Sequence, residues 1–161
     1  MRSFTPLEAA VGVALIGSVL AVAVPAFVRN MSSSRLVEAT NGLNRIGEHA
    51  ISGAANKPCA NAFPAAVGLT PEAVPRGKPA VDPDPDPWQH PTWRALDFRA
   101  SPPGVSHSYA FQFDRSENAF VAHAHGDLDG DGTTSTFEIR GKCEHDVASL
   151  TPGLYVESEL E

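Results

Sequence analysis

The sequence lacks any cluster of basic residues. Its 161 residues hold 12 Lys and Arg against 19 Asp and Glu, a net charge of −7. The positive charges between Arg29 and Arg45 are spaced apart. Phosphate backbones are bound by clustered Lys and Arg, so no nucleic-acid partner is expected. The motifs of common chemistries are missing too: there is no nucleophile elbow, P-loop or HExxH. The chain is therefore not read as an enzyme. His123, His125, Cys143 and His145 lie near one another in sequence, but their spacing matches no strong zinc pattern. Cysteine is scarce, with Cys59 and Cys143 alone. Charge is missing altogether from Ala9 to Val28.

That uncharged run, AAVGVALIGSVLAVAVPAFV, has the length a helix needs to cross a bilayer's hydrocarbon core, about twenty residues. It is long for the apolar core of a signal peptide, only Arg2 precedes it, and no clear small-x-small site ends it. A retained membrane helix fits better. Such a segment implies export, and in an exported chain an even cysteine count reads as a disulfide, Cys59 to Cys143. It closes a loop of more than eighty residues, which the chain-entropy model values at roughly 4 kcal/mol.

Glu8 opens the run. A carboxylate at the edge of a membrane helix invites a functional reading, although a first-turn acid also suits the helix macrodipole. Pro6 suits the same turn, where its missing N–H is no loss. Ser3-Phe4-Thr5-Pro6-Leu7-Glu8 followed by the apolar run resembles the signature of type IV prepilins. Gly17 and Pro25 fall where that family commonly loosens its helix. The resemblance covers about residues 3 to 30. It implies cleavage between Ser3 and Phe4 by a prepilin peptidase, methylation of Phe4, and Glu8 as the fifth mature residue. Two departures stand out: Ser3 replaces the family's usual Gly, and the leader Met1-Arg2-Ser3 is shorter and less basic than usual. After cleavage Phe4 carries a free α-amino group, positive near neutral pH. In a filament core that cation and a neighbour's Glu8 neutralise each other. A buried unpaired charge is costly, so the pairing favours one axial register.

Positions 36, 39, 43, 46 and 50 are apolar at alternating three- and four-residue steps, one face of an amphipathic helix. One helix is thus expected from about Thr5 to Ser52, loosened near Pro25. Eleven prolines between Pro58 and Pro103 exclude long helices there. Asp82 to Pro87, DPDPDP, reads as an extended strap. Thr70 and Pro71 read as the cap and first residue of a short helical turn. Trp88, Trp93, Leu96 and Phe98 are expected to fold this segment onto the head, with Trp88 open to either core packing or a subunit contact. Ser106–Asp114, Ala119–His125 and Thr134–Arg140 alternate as strands of an antiparallel meander, with a turn at Arg115–Asn118 and a short fourth strand near Leu154–Glu157.

The fold class expected is α+β: a long N-terminal helix packed on a small antiparallel sheet, an order that resembles a pilin. Its divisions are a leader (1–3), a membrane or filament-core segment (4–28), an amphipathic half (29–52) and an extracellular head (53–161). Asp127–Glu138, DLDGDGTTSTFE, satisfies the D-x-D-x-D-G-x₅-E pattern of a calcium loop. Asp127, Asp129 and Asp131 would converge on one hard cation. Thr133 would add its carbonyl, Ser135 a water-bridged contact and Glu138 two oxygens, for a structural Ca²⁺. The same residues also suit a metal-free hairpin turn.

The resemblance implies a structural subunit of a type IV pilus or related pseudopilus. Its partners would be other pilins, the prepilin peptidase, an inner-membrane assembly platform and, before assembly, the membrane. Its place would be the bacterial inner membrane, then a cell-surface or periplasmic filament. The rival reading is a monomeric, membrane-anchored calcium-binding or adhesive module.

Overall fold

The computed structural model describes residues 6–158. The chain divides into two compact units, 1–34 and 35–161. Helix α1 runs Pro6–Ala54 and continues through Pro25. In the first unit, Pro6–Pro25 is long and apolar enough to cross a membrane. Its large side chains are open, Leu7, Val13 and Val22 all above 70% exposed.

The second unit is an α+β fold. Residues 36–54 of α1 present the expected stripe: Ala39, Leu43, Ile46 and Ala50 are buried and Leu36 packs against them. Burial of a side chain such as Leu43 or Ile46 is worth about 1.5–3 kcal/mol. Two glycines on this helix let it approach the sheet closely. A Cβ on Gly42 would meet the Phe111 ring at 2.5 Å, and one on Gly47 would meet Leu150 at 3.0 Å.

The sheet has six antiparallel strands: β1 (Val67–Thr70), β2 (Ala110–Ser116), β3 (Ala119–Gly126), β4 (Ser135–Glu144), β5 (Val147–Leu150) and β6 (Tyr155–Glu157). The order is β1-β2-β3-β4-β5, with β6 also paired to β4. The meander is as expected, and its alternation sets the two faces. Phe111, Phe113, Phe120, Ala122, Ala124, Phe137, Ile139 and Cys143 point into the core. Gln112, Asp114, His123, His125, Thr136 and Glu138 are only partly buried, as the intervening positions of the same strands.

Several boundaries differ from expectation. Strand β2 starts at Ala110 rather than Ser106, because the Glu38 carboxylate takes the N–H groups of Ser108 (2.8 Å) and Tyr109 (3.2 Å). The β2–β3 turn shrinks to Glu117 and Asn118, with Glu117 at φ 34°. Strand β4 extends to Glu144, since β6 pairs its first half and β5 its second. Thr70 does not cap a helix. It ends β1, where its Oγ1 donates to the Gly68 carbonyl and accepts from the Trp93 indole.

The proline-rich segment folds onto the sheet through Trp88, Trp93, Leu96 and Phe98, all buried. Of the two options for Trp88, the head takes the core one. Its ring lies 5.5 Å from Trp93 and 5.6 Å from Phe98. The short helix α2 (Pro91–Ala95) starts with His90, whose ring accepts from the Thr92 N–H.

Candidate functional site

Of the three residues expected to direct processing and assembly, Ser3 and Phe4 lie outside the described residues. Glu8 is the acid of the first turn of α1. It stands at the head of the open apolar span, with Leu7 beside it 75% exposed. A carboxylate there stands at the end of the helix dipole that favours an acid.

Cys59 and Cys143 form the expected disulfide, with Cα atoms 5.3 Å apart and a sequence separation of 84. The bridge ties the 3₁₀ turn Cys59–Asn61 to the core face of β4. Polar contacts hold both ends. The Cys59 N–H donates to Asp146 Oδ1 at 3.1 Å, and the Cys143 N–H to the Asn118 carbonyl at 2.7 Å.

The acidic loop joins β3 to β4. Asp127, Asp129 and Asp131 each place a carboxylate oxygen within 4.8 Å of the others. Asp127 is buried and the other two are exposed. Asp127 accepts from the N–H groups of Gly130 (2.7 Å) and Gly132 (3.1 Å), and Arg76 approaches it at 4.0 Å. Asp129 accepts from the Asp131 N–H, and Asp131 from the Thr133 N–H. That Thr133 contact holds the Asp131 carboxyl below its ordinary value. Gly130 and Gly132 take φ of 84° and 98°, a region open to glycine without penalty.

The remaining expected ligands are engaged elsewhere. Ser135 is buried in β4 and its hydroxyl donates to the Gly126 carbonyl. Glu138 sits in the same strand, where Arg140 donates to its Oε2 at 2.8 Å and His123 Nδ1 lies 3.5 Å from its Oε1. Only the three aspartates form a carboxylate group among the described residues. Their donor set fits a hard cation in chemical type, with one lone pair or oxygen of each carboxylate left over from the loop's own hydrogen bonds. The bidentate acid of the sequence pattern is not part of it.

His123 and His125 share one face of β3, and their rings stack at 5.8 Å. His123 bridges Asp114 (3.2 Å) and Glu138, while His125 meets the Thr136 hydroxyl at 3.0 Å. Burial, and then the neighbouring His123, lower the pKa of His125. Cys143, the sulfur ligand a zinc site would need, is in the disulfide.

Sequence reasoning missed the most connected polar group of the head. Asp82, read only as part of an extended strap, accepts from the Trp88 indole (2.7 Å), His107 Nε2 (2.9 Å) and Arg99 (3.2 Å). Arg99 also pairs with Asp86 at 3.2 Å. His107 is buried, with its Nδ1 2.8 Å from the Tyr109 carbonyl. The one visible signal was the alternation of Asp with Pro, which spaces the carboxylates without naming their partners.

A scan against family models, a search of curated proteins and a search of solved structures each returned no match to this chain.

Proposed function

We propose that the chain is a pilin-like filament subunit, anchored by its N-terminal helix before assembly and built into a filament through it. The observation that carries this reading is Glu8, a carboxylate in the first turn of a helix whose next turns are apolar and open to their surroundings. An apolar helical surface of this length needs a non-aqueous environment, either lipid or the helices of other copies. A carboxylate carried into that environment is stabilised by a cation at a fixed position. The α-amino group of Phe4 from a neighbouring copy, released by cleavage after Ser3, supplies one. The disulfide-closed α+β head supports an exported location for the second unit.

In this reading the three aspartates of the β3–β4 loop hold a structural Ca²⁺ that stiffens the loop. Without the Glu138 carboxylate, such a site binds on monodentate aspartates, backbone oxygens and water. The ion would order a surface loop and take no part in any reaction.

Mass spectrometry of the mature N-terminus tests the reading. N-methylated Phe4 is the expected species, and an intact Met1 on a monomeric envelope protein would overturn it. The second reading, a membrane-anchored monomer, draws on Ser3 standing where prepilins usually carry Gly. Glu8→Ala separates the two: the filament reading expects loss of incorporation with the head still folded, whereas an anchored monomer is unaffected.

A further inference from the structure

The ring of His107 has an acceptor at each nitrogen. Its Nδ1 lies 2.8 Å from the Tyr109 carbonyl and its Nε2 lies 2.9 Å from Asp82 Oδ1. A carbonyl oxygen only accepts, and so does an ionised carboxylate. Asp82 is kept ionised by Arg99, 3.2 Å from its other oxygen, and it also receives the Trp88 indole N–H at 2.7 Å. A neutral imidazole carries one N–H and donates to one acceptor, so both bonds together require the imidazolium. The side chain is 1% exposed, and bulk water cannot replace a partner that it loses. The surrounding charges agree. Asp82 and, through Arg99, Asp86 come from the proline-rich segment. Glu38 comes from α1. Burial raises its pKa, while the Ser108 and Tyr109 N–H groups and then His107 draw it down. Three acids thus stand against one guanidinium, and an imidazolium brings the group nearer to balance.

We propose that His107 is a buried imidazolium that latches the proline-rich segment onto the head, and that loss of its proton at alkaline pH opens the latch. Ala80 and His107 exchange backbone hydrogen bonds of 2.9 Å, which bring the segment to the ring. Asp82 then ties the imidazolium to the Trp88 indole. Trp88 in turn packs on Trp93, Phe98 and Phe111 at 5.5, 5.6 and 6.3 Å. A ring with one proton keeps either the Tyr109 bond or the Asp82 bond and leaves the other buried acceptor facing a lone pair. An acceptor abandoned in this way is costly, most of all the charged one. Residues 81–86 belong to no helix or strand, so the network yields there, and Trp88 lifts from the aromatic cluster beneath it. The sign follows from linkage: the latch holds while the ring is protonated and is lost as pH rises through its titration. The device does not depend on the filament reading.

NMR of the full chain in detergent micelles, labelled with ¹⁵N-histidine and ¹⁵N-tryptophan, tests it. The chain has six histidines, and the His107 signals are those missing from His107→Gln. Should that variant not fold, substituting the other five one at a time identifies them by elimination. The chain has two tryptophans and hence two indole N–H peaks. The Trp93 indole, bonded to Thr70 Oγ1 at 2.9 Å, is the internal control. At neutral pH both His107 nitrogens should carry protons. The pH is then raised until His107 loses one. Over the same midpoint the Trp88 indole peak should move, the Trp93 peak should move less, and tryptophan emission should shift to the red. Asp82→Asn removes the counter-charge, so the His107 midpoint should fall by about one pH unit or more. A single protonated nitrogen at neutral pH overturns the imidazolium. Titration of His107 with an unmoved Trp88 peak overturns the latch. An unchanged midpoint in folded Asp82→Asn overturns the pairing on which both rest.

Discussion

Replacing Asp82 by alanine should strongly destabilise the head. One carboxylate there receives the Trp88 indole, His107 and Arg99, and its side chain is 7% exposed. Removing one partner of a buried charged group costs about 3–5 kcal/mol, because the other partner stays buried without its counterpart. For a unit of this size each kcal/mol shifts the melting temperature by about 3–5 °C, so Asp82→Ala should melt about 9–25 °C below the wild type. Asp82→Asn separates shape from charge. Its amide oxygen still accepts from the Trp88 indole but offers no charge to Arg99, and a loss of about 1–3 kcal/mol is expected. Thermal unfolding of the full chain in detergent, followed by tryptophan fluorescence, reads both variants, since Trp88 is itself a member of the group. Melting of Asp82→Ala within about 3 °C of the wild type, with unchanged tryptophan emission, would refute the claim that this carboxylate organises the segment.

Gly42→Ala should cost about 1–3 kcal/mol by overpacking, since the new Cβ would fall 2.5 Å from the Phe111 ring, which is fully buried. Gly53→Ala on the same helix meets nothing within 4 Å and serves as the control in the same denaturant titration. Glu38 has its pKa raised from 4.5, chiefly by burial and against the Ser108 and Tyr109 N–H groups that lower it. A raised folded-state pKa contributes stability below the unfolded value and loses it as pH rises through the folded one. Melting temperatures measured from pH 4 upward should therefore move in favour of Glu38→Gln relative to the wild type. A constant difference across that range would show that the burial is not felt. Asp129→Ala should lower the melting temperature of the head only when calcium is present, and identical wild-type melting with calcium or chelator would remove the ion from the proposal.

What could be read before folding was whatever repeats locally. The stripe at Leu36, Ala39, Leu43, Ile46 and Ala50 declares a helix face by its period. The alternation through Phe111, Phe113, Phe120 and Phe137 declares strands by theirs. The cysteine pair was legible by count alone. Strands β1 and β5 were not, being four residues each with too few positions to show a period. The partners of Glu38, Asp82 and Glu138 were not legible either. Glu38 caps N–H groups seventy residues away, and Asp82 meets His107 across twenty-five.

Sequence alone thus determined the longer elements of this protein, because backbone period and side-chain polarity act over a few residues. Tertiary structure decided which charges meet and which acid leaves the calcium pattern. Those outcomes depend on register between distant strands: a position facing the core puts its neighbour on the polar face, and Glu138 lands beside Arg140 and His123 for that reason.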